Sequence, residues 1–151
     1  MSTRKNQILN FDLRVIDFFK QTFIPFARFS LFLVFFWFGM IKLLGFSPAS
    51  PLAEALVAHT VGLMYFQVLF VVLALLEVVI GLLFLFPRAT RIVIPLLLLH
   101  MLIVCSPLLL VPDYTWQGFF LPTLEGQYII KNAVVVAVAI GVAASTKPLK
   151  K

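Results

Sequence analysis

The feature that most constrains this chain is a set of four apolar blocks, at about residues 23–45, 66–86, 92–111 and 127–144. A helix that spans a membrane needs roughly 20 mostly apolar residues, and each block supplies them. Of the 151 residues, 62% are hydrophobic and only 12% are charged. An average soluble domain carries about 25% charged residues. The apolar residues also come in long runs rather than at an amphipathic period. The pattern predicts an all-α integral membrane protein, a four-helix bundle in a single domain. No internal repeat is visible.

The basic residues predict how the spans are oriented. Arg4, Lys5, Arg14 and Lys20 precede the first block, Arg88 and Arg91 lie between the second and third, and Lys147, Lys150 and Lys151 follow the fourth. The two remaining loops hold no lysine or arginine and carry Glu54, Asp113 and Glu125. The positive-inside rule then puts both termini in the cytoplasm. The formal net charge of +6 is explained by topology rather than by nucleic acid. No small-residue cleavage site follows the first block, so it is expected to be retained rather than cleaved as a signal peptide.

Ahead of the first block, "ILNFDLRVIDFFK" has a helical period. Ile8, Phe11, Val15, Phe18 and Phe19 share one face, interrupted by Asp12, and Gln7, Arg14 and Asp17 share the other. Two readings stand side by side: a short amphipathic helix on the cytoplasmic interface, or the polar start of one long tilted span. In the first outer loop, "SPLAEALVAHT" predicts a short helix with Ser50 as N-cap and Pro51 at the first helical position. In the second, "PDYTWQGFF" concentrates Tyr114, Trp116, Phe119 and Phe120. An aromatic belt is the simpler account, and a lid is the alternative.

Ionisable groups inside a span are expensive and are expected to face the bundle interior. Here they are Arg28, Lys42, Glu77, His100 and Lys131, with Asn132 as a neutral companion. At 100° per residue, Arg28, Phe35, Gly39 and Lys42 form one stripe, and Phe70, Ala74, Glu77, Gly81 and Phe84 form another. The glycines in those stripes allow close helix approach. If the outer ends of the spans are level, Glu77 and His100 both lie about 16 Å deep, and Lys42 and Lys131 about 5–6 Å deep. A Lys42–Glu77 pair would then have to close an axial gap of about 10 Å. The expected core pair is therefore Glu77 with His100, with the two lysines above it at the mouth of a polar cleft. The bland alternative is packing glue: a neutral Glu77 donating to a carbonyl, and lysines that snorkel to the interface.

Several chemistries are excluded. A lone Cys105 permits no internal disulfide and no thiolate cluster, and there is no haem-attachment motif. His59 and His100 are the only histidines, and no His, Cys or carboxylate spacing fits a metal site. No phosphate loop or dinucleotide fingerprint is present.

The polar pattern resembles a known family. "RFSLFLVFFWFGMIKLL" is similar to the first span of the DoxX-like family of small four-helix bacterial membrane proteins, with Arg28, Gly39 and Lys42 in its Arg–Gly–Lys places. "EVVIGLLFLFPRATR" resembles its second motif through Glu77, Gly81 and Arg91 or Arg88, and "LEGQYIIKN" resembles the start of its last helix through Gly126, Tyr128, Lys131 and Asn132. Pro87 stands where a glycine is usual before the basic turn. The resemblance implies membrane redox biology. Members are linked to quinone reduction coupled to sulfur-compound oxidation, to amine-dehydrogenase maturation and to defence against oxidants.

Three functions follow as expectations. The first is an accessory or quinone-interacting subunit of a membrane redox or oxidative-stress system. A quinone would bind in a cleft lined by Lys42, Glu77, His100, Lys131 and Asn132, and electrons would be supplied by a larger complex. The second is a purely structural subunit or assembly factor, in a larger complex or a homo-oligomer. A small proton-coupled transporter ranks last, because no inverted repeat or broken span is apparent.

Overall fold

The computed structural model describes the backbone of residues 2–148 and the side chains of residues 7–148. Lys150 and Lys151 lie outside the described residues, as do the side chains of Arg4 and Lys5. Four helices are long and apolar enough to cross a membrane: Gln7–Leu43, Leu63–Phe84, Pro87–Leu110 and Leu124–Ala144.

The first helix, α1, runs unbroken over Ser2–Leu43. The amphipathic segment is therefore not a separate short helix but the start of α1. Pro25 lies inside it without ending it; a proline removes one backbone donor, a loss that spanning helices can tolerate. At 42 residues, α1 is about 63 Å long, against roughly 30 Å of bilayer hydrocarbon. It therefore extends well beyond its neighbours. Its end is closed by Gly45 at φ 79°, with the Phe46 amide donating to the Ile41 carbonyl. That left-handed stop favours glycine.

A second helix, α2 (Ser50–Thr60), forms in the loop as expected. Its cap differs from the sequence reading. Ser50 is already helical, and its hydroxyl donates to the Ser47 carbonyl instead of accepting from the helix. After a 3-10 turn at Leu63–Tyr65 comes α3 (Phe66–Phe84). A second 3-10 turn at Pro87–Ala89 leads into α4 (Thr90–Cys105), continued by α5 (Pro107–Leu110). Then follow α6 (Pro112–Thr115), the strands β1 (Trp116–Gly118) and β2 (Leu121–Pro122), α7 (Leu124–Ile130) and α8 (Asn132–Ala144). Prolines recur in the first turn of these elements, where a missing N–H costs nothing. The Thr123 side chain caps α7 by accepting from the Gly126 amide at 3.1 Å.

The long helices close a circuit: α1 packs on α3, α3 on α4, α4 on α8 and α8 on α1. The core between them takes Ala27, Leu31 and Phe35 from α1, Ile80 and Phe84 from α3, Val93, Leu97 and Met101 from α4, and Ala139 and Val142 from α8. The i, i+4 spacing in α1 and α4 is the inward stripe of a helix. The outward faces are equally apolar, with Phe26, Phe29, Trp37, Val68, Val72, Ile92 and Val134 all exposed. Helices that are apolar on both faces are suited to lipid.

The aromatic loop folds into an antiparallel hairpin. Phe119 and Phe120 project from its tip, edge to face at 4.7 Å. Trp116 turns the other way, and its indole donates to the Leu108 carbonyl at 3.0 Å. Trp116 thus anchors the hairpin to α5. Behind it, a Cβ on Gly126 would lie 2.1 Å from the Thr115 carbonyl oxygen, so only glycine fits that crossing.

Candidate functional site

Three ionisable side chains from three helices meet in the interior. Lys42 Nζ of α1 lies 2.5 Å from Glu77 Oε2 of α3. The other carboxylate oxygen, Oε1, lies 3.3 Å from His100 Nε2 of α4. Glu77 and His100 are 4% and 2% exposed. The Phe35 ring meets the imidazole nearly edge-on at 5.5 Å between centroids. Glu77 thus bridges a cation on one side and an imidazole on the other.

The expected Glu77–His100 pair is present, but Lys42 joins it directly, which the level-ends estimate had disfavoured. The reason lies in how α1 and α3 interlock. A Cβ on Gly39 would come 2.8 Å from the Ala74 carbonyl oxygen, and one on Gly81 would come 2.6 Å from the Phe36 amide nitrogen. These contacts set Lys42 opposite the turn near Ala74, so its axial offset from Glu77 is only about 4–5 Å. The outer ends are not level: α3 overhangs the end of α1 by about 10 Å. A lysine side chain spans the remaining offset with ease.

The other expected members of the cleft stand apart. Lys131 occupies the turn between α7 and α8 and lies 4.7 Å above the Tyr128 ring. Lys131 is exposed and Asn132 half-buried. Among the described residues, no side-chain hydrogen bond or ion pair joins either of them to Lys42, Glu77 or His100. The central group is enclosed, and its most accessible member is Lys42, with 11% side-chain exposure.

One atom in this group is unaccounted for. His100 Nδ1 is buried and has no hydrogen-bond partner among the described residues. Buried polar atoms are nearly always paired, so an orphan asks for an explanation. An imidazole nitrogen that carries no proton is a hydrogen-bond acceptor.

A second polar group sits at the opposite end of the bundle, about 21 Å along α1 from Lys42. Arg28 donates to the Phe84 carbonyl at 3.3 Å and to Thr90 Oγ1 at 2.5 Å. Thr90 in turn donates to the Pro87 carbonyl at 2.7 Å. The guanidinium thereby ties α1 to the turn between α3 and α4. Arg91 donates to the Lys147 carbonyl at 2.8 Å, tying α4 to the end of α8. Arg91, a topology and motif residue in the sequence, thus also has a structural partner, and Thr90 is a member that the sequence pattern does not single out. A threonine two residues beyond Arg88, in a turn opened by proline, was the available signal.

Among the described residues, no group of three or more His, Cys, Asp or Glu is gathered to hold a metal ion. No protein-family model matches the chain, and neither a curated protein nor a solved structure is significantly similar to it.

Proposed function

We propose that this chain is a DoxX-like accessory subunit of a membrane redox or oxidative-stress system, and that it engages a quinone headgroup at the Lys42–Glu77–His100 group. The observation that carries the reading is the orphaned His100 Nδ1. An acceptor in a buried, largely apolar setting suits a hydroxyl donor, and the reduced form of a quinone presents two. A quinol supplies that donor together with two-electron chemistry, the electrons passing to or from a partner protein. In this chain His100 accepts the headgroup hydrogen bond and can take its proton. Glu77 meets the opposite ring nitrogen of His100, and Lys42 meets Glu77 in turn. Lys42, the most exposed of the three, lies on the access side.

The orientation belongs to the same proposal. Arg28, Arg88, Arg91 and Lys147 lie at one end of the helices, and the loops at the other end carry Glu54, Asp113 and Glu125. This asymmetry supports a bacterial inner-membrane protein with both termini in the cytoplasm.

The test is the quinone content of protein purified in mild detergent. Wild type is expected to carry quinone, and Glu77→Gln and Lys42→Ala to lose most of it. A second reading is favoured by the near-complete burial of Glu77 and His100: a structural subunit whose polar group is helix–helix glue. If wild type carries no quinone, or if the variants keep wild-type quinone together with an intact partner complex, the redox reading is overturned and the structural one stands.

A further inference from the structure

We infer that the Arg28 end of the bundle carries a binding site for a phosphate group of net negative charge, separate from the Lys42–Glu77–His100 group. A groove of about 440 Å³ opens there, lined by Ile24, Pro25 and Arg28 of α1, by Pro87, and by Thr146 and Lys147 beyond the end of α8.

Four observations converge on it. First, among the described residues Arg28 is bonded only to neutral oxygens, those of Phe84 and Thr90. A guanidinium has five N–H donors in a planar fork, so several remain for an external acceptor. Second, the Lys147 ammonium has no ion-pair or hydrogen-bond partner among the described residues, while its backbone carbonyl is pinned by Arg91. The tail is thus fixed with its cation free. Third, Thr146 Oγ1 is buried without a hydrogen-bond partner among the described residues. A hydroxyl beside two cations completes the donor set that phosphate oxygens require. Fourth, among the described residues no carboxylate lines the groove, and its cations meet no anion there.

The remaining lining is Ile24, Pro25 and Pro87, which are apolar, and Ser145, whose hydroxyl donates to the Val142 carbonyl. In a membrane-spanning bundle this end of the helices would meet the headgroup layer. Basic pockets between helices at that level take the headgroups of anionic lipids. A free phosphate ion shares the same chemistry, and the experiment separates the two sources.

The protein is reconstituted in nanodiscs of phosphatidylcholine containing a minority of phosphatidylglycerol, and retained lipid is read by native mass spectrometry. A parallel arm uses phosphatidylcholine alone with added inorganic phosphate. Wild type is expected to retain phosphatidylglycerol, and Lys147→Ala to retain it about fivefold less tightly, the factor expected for one cation near the surface. Lys147 is exposed, so the variant folds. Arg28→Lys keeps the charge but loses the fork and is expected to weaken retention as well. Arg88→Ala removes one charge at the same end but outside the groove, and is expected to leave retention unchanged. Retention in the inorganic-phosphate arm alone, with the same variant pattern, assigns the site to a free ion. Equal losses in Lys147→Ala and Arg88→Ala would show diffuse surface charge and overturn the site, as would no retention by wild type in either arm.

Discussion

The two polar groups on α1 handle charge in opposite ways. At the Lys42 end, the cation meets a carboxylate and the carboxylate meets an imidazole, so the ionisable groups compensate one another in the interior. At the Arg28 end, the cation meets a carbonyl and a hydroxyl and keeps its full charge. The first group is nearly sealed, and the second opens on a groove. The difference teaches which interactions a bundle in lipid can close on itself. A buried ion pair is self-contained, and removing one partner strands the other. A cation with neutral partners is stable only near an interface or beside an external anion.

The sharpest way to break this comparison is Glu77→Leu. It strands Lys42 inside the bundle and is expected to destabilise the protein by about 3–5 kcal/mol, read as a fall in unfolding midpoint in detergent. Adding Lys42→Met should restore much of that loss, since an apolar pair of similar volume can replace a buried ion pair. If the double variant is no better than Glu77→Leu alone, the two residues are not energetically coupled. Next comes Arg28→Ala, which removes one close hydrogen bond from a charged donor, to Thr90, and a long one of 3.3 Å to the Phe84 carbonyl that adds little. It is expected to cost about 1.5–3 kcal/mol. A larger loss than for Glu77→Leu in the same assay would reverse the ranking of the two ends. The smallest effect belongs to Lys131→Met. Its contact with Tyr128 is an exposed cation–π pair, worth about 0.5–1 kcal/mol. A loss as large as that from Arg28→Ala would show that Lys131 does more than stack on Tyr128.

The spans were legible because lipid demands about 20 apolar residues in a row, and that demand is written directly in the chain. The stripes containing Gly39 and Gly81 were also legible, as was the α2 helix. The axial offset between α1 and α3 was not. It depends on which turn of one helix receives the glycine of the other, a matter of interlocking shapes rather than composition. That single unknown turned Lys42 from a direct partner of Glu77 into an expected neighbour at the mouth of a cleft. The continuity of α1 was one of two open readings, because Pro25 leaves either a separate helix or one long helix compatible with the sequence. Proline weakens a helix locally, but the apolar residues on both sides keep it going. The hairpin at Trp116–Pro122 is not legible in a segment that reads as an aromatic belt or a lid, because an aromatic at an interface and one anchoring a turn look alike in sequence.

Arg28 and Lys42 are carried on one uninterrupted helix, and Pro25 falls outside the interval between them. That interval behaves as a rigid strut. Raising or lowering one residue along the strut's axis moves the other by the same distance. The bend most available to α1 lies beyond Arg28, where Pro25 leaves one rung of the backbone ladder open. The N-terminal arm can therefore swing without altering the spacing between the two charged stations.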